Sequence, residues 1–238
     1  MITEAKIIEK LSSHFPEFDF QVTLSIGKVN IAFLETKVSF WLDDWIRKND
    51  IILGIIQSIL GKNQKIFARN CNVIKLDKEL TERFLNENHL LGFKTAYHKI
   101  GLLHNNELKA VATFSKGRKM DRLSYEKRSF ELISFCCKKG FSVIGGLSKL
   151  ITHFVAKTQP GDVMTYIDKD WSNGTAYLNL GFKIHSEIEP LTFVFDQSTF
   201  MKYHIEKLPE DILKALESNN ENLAIVKNAG NLKLVYTL

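Results

Sequence analysis

The sequence predicts an α/β protein built on a mixed sheet with helices on both faces, preceded by a small α+β unit. Strand-like and helix-like segments alternate after residue 65 in the order βαβββαβαβ. Most strands in this order pair antiparallel with their neighbours, and one strand–helix–strand segment predicts a parallel crossover. The 238 residues are 45% hydrophobic and 25% charged, an ordinary globular composition that permits a buried core.

Residues 1–65 form the predicted α+β unit. Apolar residues at helical spacing in "ITEAKIIEKLSSHF" predict a short amphipathic helix that ends before Pro16. The alternating, β-branched segment "FDFQVTLSIGKVNIAFL" predicts two strands that turn near Gly27 and Lys28. The segment "DDWIRKNDIILGIIQSILG" begins with acids that suit a helix N-terminus and ends at Gly61, so it predicts a longer helix.

Residues 66–238 form the predicted main domain with a C-terminal extension. Its predicted elements are, in order, KIFARNCNVIKL (strand), ELTERFLNENHL (helix), AYHKIGLLHN, ELKAVATFS and SFELISFCC (strands), SVIGGLSKLITHFVAK (helix), DVMTYID (strand), GTAYLNLG (helix), and FKIHSEI and LTFVFD (strands). Asn105 and Asn106 tolerate positive φ and predict a two-residue hairpin turn. Pro160 and Gly161 are expected to end the long helix.

The composition disfavours membrane, disulfide-rich and zinc-binding proteins. The longest strongly apolar stretch, residues 51–60, is too short to span a bilayer, and the N-terminus lacks the hydrophobic region and cleavage site of a signal peptide. We therefore expect a cytoplasmic protein without a membrane partner. The three cysteines form neither a disulfide framework nor a Cys-x-x-Cys pair, and no metal site is predicted.

Positive charge is concentrated between residues 109 and 139. The net charge is only +5, but this segment holds nine Lys or Arg residues against three Asp or Glu residues. Lys and Arg contact nucleic-acid phosphates largely without sequence preference. The segment is therefore either a solvated loop or a phosphate-contacting surface, and on the second interpretation Arg118 and Lys119 bind the substrate and DNA is the partner.

The string "SVIGGLSKL", together with the order of elements, resembles the GNAT acyltransferases. In that family a Gly-rich loop and the N-terminus of the next helix hold the pyrophosphate of coenzyme A, because oriented N–H groups and the helix dipole favour an anion. The resemblance implies acetyl-CoA or another acyl-CoA as cofactor, bound by Gly145, Gly146, Ser148 and Lys149. The family's basic residue followed by Gly-x-Gly is replaced here by Lys139-Gly140 at a different spacing.

The string "GTAYLNLGF" resembles the GNAT helix whose Tyr commonly protonates the leaving thiolate. Tyr177 occupies that position, and the resemblance implies that it is the general acid; the alternative is a Tyr that only packs on a helix face. Gly181 suits a left-handed helix C-cap, and Phe182 starts the next strand.

A wider likeness covers nearly the whole chain. The strings FLNENHLLGF, SFELISFC, SVIGGLSKL, YIDKDWSNGTAYLNLGF and NAGNLKLVY resemble a phage and mobile-element group with a GNAT-like domain. This group is similar to the Mom DNA-modification enzymes, which place an acyl-derived group on adenine. In many members a nuclease-like domain comes first, and residues 1–65 resemble a shortened remnant of it. Asp19 and Glu35-Thr36-Lys37 supply the residue types of such a nuclease, but we expect a noncatalytic remnant.

The string "DKDWSNG" carries the predicted substrate site. Asp168 ends a strand, where α/β sheets gather ligands, and we expect it to accept the proton of the attacking amine. Trp171 can stack on a base flipped from the duplex. Ser172 and Asn173 complete the predicted substrate-binding set, although either can instead cap the helix that carries Tyr177.

Two further residues are candidates for proton transfer. Glu131 lies in the strand SFELISFCC and is either a base or orienting group in the cleft or a surface Glu. His89 closes the helix before that region and is either a second proton carrier or a helix-end residue favoured by the dipole. The group that this chain resembles usually has an Arg at the position of Ser134, and a Ser cannot make the bidentate contact of an Arg.

The sequence therefore predicts a Mom-like group transferase that modifies a DNA base amine with an acyl-derived group. Two alternatives stay open. The first is a noncatalytic DNA-binding or accessory protein built on the same scaffold, and the second is an N-acyltransferase that acts on a protein or a small amine.

Overall fold

A computed structural model describes residues 2–238, which fall into two compact units. The first unit consists of the N-terminal segment through Leu53, residues 167–174 and residues 187–232. The second, called here the sheet unit, consists of residues 54–166, 175–186 and 233–238. The predicted boundary between sequence domains at residue 65 stays a prediction.

Helices and strands alternate along most of the chain. The α-helices are α1 (Glu4–His14), α2 (Leu42–Ile59), α3 (Lys78–Asn88), α4 (Gly146–Thr158), α5 (Thr175–Leu178) and α6 (Glu210–Glu217). The strands are β1 (Gln21–Ser25), β2 (Lys28–Phe33), β3 (Thr36–Trp41), β4 (Gln64–Phe67), β5 (Asn72–Lys75), β6 (His98–His104), β7 (Glu107–Phe114), β8 (Ser129–Cys137), β9 (Phe141–Ile144), β10 (Asp162–Asp168), β11 (Lys183–Ile188), β12 (Thr192–Asp196), β13 (Met201–His204), β14 (Leu223–Lys227) and β15 (Asn231–Thr237).

The first unit is built on two small sheets. β1, β2 and β3 form an antiparallel meander in which the buried Val29 pairs with the buried Phe40. α1 begins at its N-cap Thr3, whose hydroxyl accepts a hydrogen bond from the Lys6 N–H, and it ends before Pro16 as predicted. β13, β12 and β14 form the second sheet, which the sequence predicted only at β12.

The sheet unit contains a mixed sheet with the strand order β11-β15-β10-β8-β7-β6-β5. β5 through β8 pair antiparallel in sequence, whereas β8 and β10 pair in parallel through the crossover that contains α4. The predicted hairpin turn between β6 and β7 is confirmed, because Asn105 and Asn106 both have positive φ, 49° and 59°. The predicted parallel crossover is also confirmed.

Helices cover both faces of this sheet. Val111 of β7 packs in a core cluster with Phe84 and Leu85 of α3. Phe114 of the same strand stacks on Phe154 of α4, with ring centroids 3.8 Å apart. Because side chains alternate along a strand, residues three positions apart point to opposite faces. The predicted α/β class with helices on both faces is therefore confirmed.

One predicted strand is wrong. The segment KIFARNCNVIKL was expected to be a single strand, but a short 3-10 helix at Ala68–Asn70 divides it into β4 and β5. β4 pairs in parallel with β9, and β5 pairs with β6 in the mixed sheet. The sequence pattern is β-like throughout, so periodicity alone does not reveal that the two halves have different partners.

The apolar stretch at residues 51–60 lies largely within α2, which is interrupted by a non-helical residue at Lys48. None of the helices within residues 2–238 is both long and apolar enough to cross a membrane.

Candidate active site

The backbone ladder between the parallel strands β8 and β10 covers only three residue pairs. Asp162 pairs with Ser129, and the ladder ends where Met164 pairs with Glu131. Both strands continue past this point, and the Thr165 hydroxyl donates to the Leu132 carbonyl oxygen at 3.0 Å. The edges beyond the ladder, residues 132–137 of β8 and 165–166 of β10, are called the wedge.

A β-bulge in β8 marks the start of the wedge. Phe114 pairs with Leu132 and Thr113 pairs with Ser134, so Ile133 is the extra residue. Bulges bend a strand and often occur beside active sites. The side-chain hydroxyls of Thr113 and Ser134 are buried and have no hydrogen-bond partner among the described residues. Since buried polar groups are normally satisfied, this cross-strand pair is a polar spot at the wedge.

The N-terminus of α4 lies against β6 of the sheet unit, since a Cβ added at Gly146 would lie 3.3 Å from Leu102 Cδ1. Its N-cap, Gly145, has φ 75° and ψ 8°, a left-handed conformation that glycine adopts without strain, and no side chain caps the helix. At Gly146 an added Cβ would lie 3.0 Å from Val143 Cβ, so this position favours glycine by close approach. The predicted helix is confirmed from Gly146 onward, whereas the first residues of the predicted segment, 142–144, belong to β9. Ser148 is exposed in the first turn of α4.

Lys149 supports the turn next to this helix end. Its Nζ donates to the carbonyl oxygens of Ala68 and Cys71 at 2.9 and 2.6 Å. A Cβ added at Gly145 would lie 3.7 Å from Ala68 Cβ, so the 3-10 turn adjoins the start of α4. The next residue, Arg69, is exposed, and its guanidinium lies 4.9 Å from the Phe67 ring. The cofactor roles of Ser148 and Lys149 stay predictions.

Arg69 is a candidate that the sequence analysis missed. The parallel pairing of β4 with β9 brings its turn to the α4 N-terminus, 77 positions further along the chain (146 − 69). An exposed basic residue after an apolar strand is a weak signal, so sequence alone does not single it out.

Tyr177 lies on the short helix α5 in the sheet unit. Its ring packs edge-on against Phe182 with centroids 5.7 Å apart. Burial of the hydroxyl, with a smaller contribution from Cys136 of the wedge, raises the pKa of Tyr177 to about 12. The structure thus gives Tyr177 both the packing contact of the alternative interpretation and a position close enough to the wedge for Cys136 to influence its pKa.

The other two proton-transfer candidates have backbone roles in the sheet unit. Glu131 is half-buried, its N–H donates to the Ser115 hydroxyl at 2.9 Å, and its carbonyl oxygen accepts from the Ser115 N–H at 2.9 Å. His89 is the C-cap of α3, where its N–H donates to the Leu85 carbonyl oxygen at 2.8 Å. Their catalytic roles stay predictions.

Six of the nine basic residues of the segment 109–139 lie in the loop between β7 and β8, called here the basic loop. Arg118 and Ser129 exchange two backbone hydrogen bonds of 2.9 Å that close its base. Arg122 pairs with the buried Asp162. Lys119 lies over the ring of Tyr125, with Nζ 4.2 Å from the centroid, and this Tyr is 81% exposed.

The first unit holds Asp168, Trp171, Ser172 and Asn173. The Asp168 carboxylate accepts from the Asp170 N–H at 2.9 Å and from the Trp171 indole. Ser172 accepts from the Gly174 N–H at 3.3 Å, and Asn173 is exposed.

Electrostatics distinguish Asp168 from an ordinary surface acid. Burial raises its pKa, and this effect outweighs the Asp170 N–H, the Trp171 indole and the charge of Lys28, which all lower the pKa. Perturbed carboxyls of this kind are enriched at functional sites. Asp170 itself forms an ion pair with the buried Lys28.

The predicted residues are therefore divided between the two units. Asp168 and Trp171 are in contact in the first unit. Gly145, Gly146 and Tyr177 belong to the sheet unit, and so do the loop residues Arg118 and Lys119.

A protein metal site needs several ligating side chains close together. Within residues 2–238, no three or more His, Cys, Asp or Glu side chains are arranged to hold a metal ion. Asp19, Glu35 and Lys37, the residue types expected of a nuclease, are all exposed, and Glu35 lies in the tight turn between β2 and β3. The interpretation of residues 1–65 as a noncatalytic remnant stays a prediction.

Comparisons with known proteins find similarity only among solved structures. No protein-family model matches the chain, and no curated protein matches it significantly. An acetyltransferase of Bacillus subtilis in complex with CoA is similar over 71% of this chain and 99% of its own, with 11% identity and a TM-score of 0.41. A GNAT family acetyltransferase of Elizabethkingia anophelis with acetyl-CoA bound has 13% identity over the same shares and a TM-score of 0.39. An Escherichia coli N-acetyltransferase of a ribosomal-protein alanine has 10% identity over 70% of this chain and 93% of its own, with a TM-score of 0.42.

Proposed function

We propose that this protein is an acyl-CoA-dependent N-acyltransferase of the GNAT type. The observation that carries the proposal is the wedge: the backbone ladder between two parallel strands ends beside a bulge, and the crossover helix that follows has an uncapped N-terminus. An extended, amide-containing arm can pair with a free strand edge as an added strand would. An anion is favoured at the N–H groups of a helix start. The two features together suit a ligand that joins an extended amide chain to a pyrophosphate.

The residues present fit an acyl-CoA. The N–H groups of the first turn of α4 suit the pyrophosphate, and Arg69 adds a positive charge beside them. Lys149 fixes the Arg69 turn through its two carbonyl contacts. The hydroxyls of Thr113 and Ser134 offer polar partners at the bulge. When bound, the cofactor supplies the acyl group as a thioester.

Tyr177 is proposed as the general acid. With its pKa at about 12, it holds its proton throughout the neutral range. It can therefore donate a hydrogen bond to the sulfur that leaves. Because a thiol, with a pKa of about 8.5, is a stronger acid than this tyrosine, the hydroxyl stabilises the departing thiolate chiefly through that hydrogen bond. Cys136 of the wedge contributes to the raised pKa of Tyr177, which supports a position of the hydroxyl near the sulfur of the thioester.

Asp168 is proposed as the base that accepts the amine proton. The same burial that raises its pKa makes the carboxylate more basic than a surface Asp. The Trp171 indole donates a hydrogen bond to this carboxylate, and its aromatic ring can stack on an unstacked base.

A DNA base amine is the acceptor that we favour, as in the Mom-like group that the sequence resembles. The observation that favours it is the exposed basic loop, in which Tyr125 and Lys119 combine an aromatic face with positive charge. Such a combination binds backbone phosphates and stacks on bases. Nucleoside mass spectrometry of DNA from cells that express the protein tests this acceptor. An adduct that disappears with Asp168→Asn, but not with the exposed control Asp211→Asn, is the expected result.

The alternatives give different results. A noncatalytic DNA-binding protein binds duplex DNA in a salt-dependent way and gives no adduct, whereas an acyltransferase for a protein or small amine binds acetyl-CoA and leaves DNA unmodified.

Cofactor binding is tested separately by calorimetric titration with acetyl-CoA. Ser148→Glu places a negative charge in the first turn of α4, and Thr152→Glu places the same charge on an exposed position one turn later. Like charges about 4 Å apart repel by about 1 to 4 kcal/mol, depending on the local dielectric. We expect Ser148→Glu to weaken binding by about tenfold or more and Thr152→Glu to have little effect. Equal affinity in both variants contradicts the proposed pyrophosphate position.

A further inference from the structure

The first unit buries a network of ion pairs that the proposed transfer does not use. Lys28, at the start of β2, forms an ion pair with Asp170, and each side chain is only 8% exposed. Lys202 of β13 contacts Asp43 at 3.1 Å and also pairs with Asp44. Buried charges of this kind are costly to desolvate unless they are well paired, so the position of each partner is closely constrained.

Trp41 lies at the centre of this network. Lys28 is its cross-strand partner in the register of β2 and β3. The Lys28 Nζ lies 3.8 Å from the ring centroid of Trp41, and the Lys202 Nζ lies 5.1 Å from it. The ring therefore separates two ion pairs, one with Asp170 and one with Asp43 and Asp44.

Asp170 connects Lys28 to the loop that carries Asp168. Its N–H donates to Asp168 Oδ1 at 2.9 Å, and its carbonyl oxygen accepts from the Ser39 N–H at 2.7 Å. Its second carboxylate oxygen accepts from the Ala229 N–H at 3.2 Å. The N–H, the carbonyl oxygen and both carboxylate oxygens of one residue are thus engaged, which fixes the loop directly beside Asp168.

The charged groups that face Asp168 are few. Asp170 and Lys28 act on it through charge, and Trp171 donates to it. Lys28 in turn faces Asp170, Asp168 and Lys202, and burial lowers its pKa against the effect of the Asp170 ion pair. Lys28 is therefore the cation whose removal changes the field at Asp168 most directly.

We propose that Lys28 is a positioning residue: through its ion pair with Asp170, it orients Asp168. The inference rests on the proposed role of Asp168 as the base. It gives residues 1–53 a part in the transfer reaction, because Lys28 and Ser39 lie on strands of the N-terminal meander and contact the loop.

The first measurement is the pH dependence of acetyl transfer from acetyl-CoA to a duplex oligonucleotide. Asp168 must be deprotonated to act, so the rate rises as the pH rises through its pKa. Lys28→Met removes a positive charge that lowers the pKa of Asp168. We therefore expect the acid limb of the pH–rate profile to move to higher pH. Because misplacement of a reacting group by 1 Å can cost about 100-fold, we expect kcat to fall by about that factor with little change in KM for DNA.

Two further variants keep the test decisive. Lys28→Met/Asp170→Asn removes both charges of the ion pair and leaves no unpaired buried charge, so we expect it to fold even if the single variant does not. Its kcat is still expected to fall, because the contact that orients the Asp168 loop is lost. Lys202→Met is the matched control, since it removes the other Lys beside Trp41 but leaves the contacts of the Asp168 loop. An unchanged kcat in the double variant overturns the inference, and so does the same shift of the acid limb in Lys202→Met.

A second measurement does not depend on activity. Carboxyl carbon resonances of labelled Asp follow the titration of Asp168 directly, with Asp168→Asn as the assignment control. A shift to higher pH in Lys28→Met supports the positioning role even if the unmutated protein transfers no acetyl group to DNA. A shifted Asp168 titration without acetyl transfer to DNA rejects only the proposed function. An Asp168 titration that Lys28→Met does not shift rejects the role of Lys28.

Discussion

Arg122 is predicted to be a structural anchor of the basic loop, and Arg122→Met tests this. Its Nε and Nη2 atoms lie 2.8 and 2.7 Å from Asp162 Oδ2, and Nη2 also donates to the Ser129 hydroxyl at 3.0 Å. The Asp162 side chain is only 2% exposed. The substitution therefore leaves a buried carboxylate without its cation.

The expected loss follows from this burial. Removing one partner of a fully buried ion pair costs about 3 to 5 kcal/mol. The Arg122 side chain is 26% exposed, so water screens the pair in part. We therefore expect the free energy of unfolding to fall by about 2 to 3 kcal/mol. At about 2 to 4 °C per kcal/mol for a chain of this size, the melting temperature falls by roughly 4 to 12 °C.

Calorimetry measures the stability, and fluorescence anisotropy with duplex DNA measures the binding. Arg118→Met is the matched control because Arg118 is exposed in the same loop and its backbone bonds to Ser129 survive the substitution. We expect Arg118→Met to leave the melting temperature unchanged. We expect it to lower the slope of log affinity against log salt concentration by about the contribution of one phosphate contact. We expect Arg122→Met/Asp162→Asn to recover part of the lost stability. A stable Arg122→Met protein that loses affinity and salt dependence refutes this reasoning.

Three other predictions concern single side chains. Asp168→Asn should preserve or raise the free energy of unfolding at pH 7, measured by urea titration. The pKa of Asp168 is raised in the folded protein, so its contribution to the free energy of unfolding is complete below the unfolded pKa of about 4. That contribution is lost as the pH rises through the folded pKa. If Asp168→Asn is still more stable than the unmutated protein at pH 3, this explanation is contradicted. Tyr177→Phe should remove a tyrosinate absorbance step near pH 12, and loss of a step near pH 10 instead disproves the burial of that hydroxyl. Phe154→Ala removes the ring stacked on Phe114 and should cost about 3 to 5 kcal/mol in calorimetry; a cost below about 1 kcal/mol means that the stack is not a core contact.

The elements that the sequence predicts well are those with strong local signals. The two Asn residues at 105 and 106 adopt the positive φ that their side chains tolerate, and the left-handed Gly145 begins α4 as predicted. Gly181, predicted as a left-handed C-cap, has φ 94°. In each case a single residue type determines the backbone conformation, so neighbouring sequence is sufficient.

The features that the sequence does not predict depend on distant partners. Lys28 and Asp170 are 142 positions apart, and only the fold brings the N-terminal meander to the loop. Residues 187–232 join the first unit although they follow the sheet strands in sequence. Arg69 likewise gains its position from the pairing of β4 with β9. Local periodicity contains no information about any of these contacts.

Two carboxylates in one short string have different physical circumstances. Asp170 contacts four groups, the Lys28 ammonium, the Asp168 carboxylate and the backbone N–H groups of Ser39 and Ala229, and this accounts for its position without any reaction. Asp168 is held by the Asp170 N–H and the Trp171 indole, yet its carboxylate remains disfavoured by burial. A carboxylate that the fold orients but does not fully stabilise retains the basicity that proton abstraction requires. This difference is the physical reason to assign the structural role to Asp170 and the chemical role to Asp168.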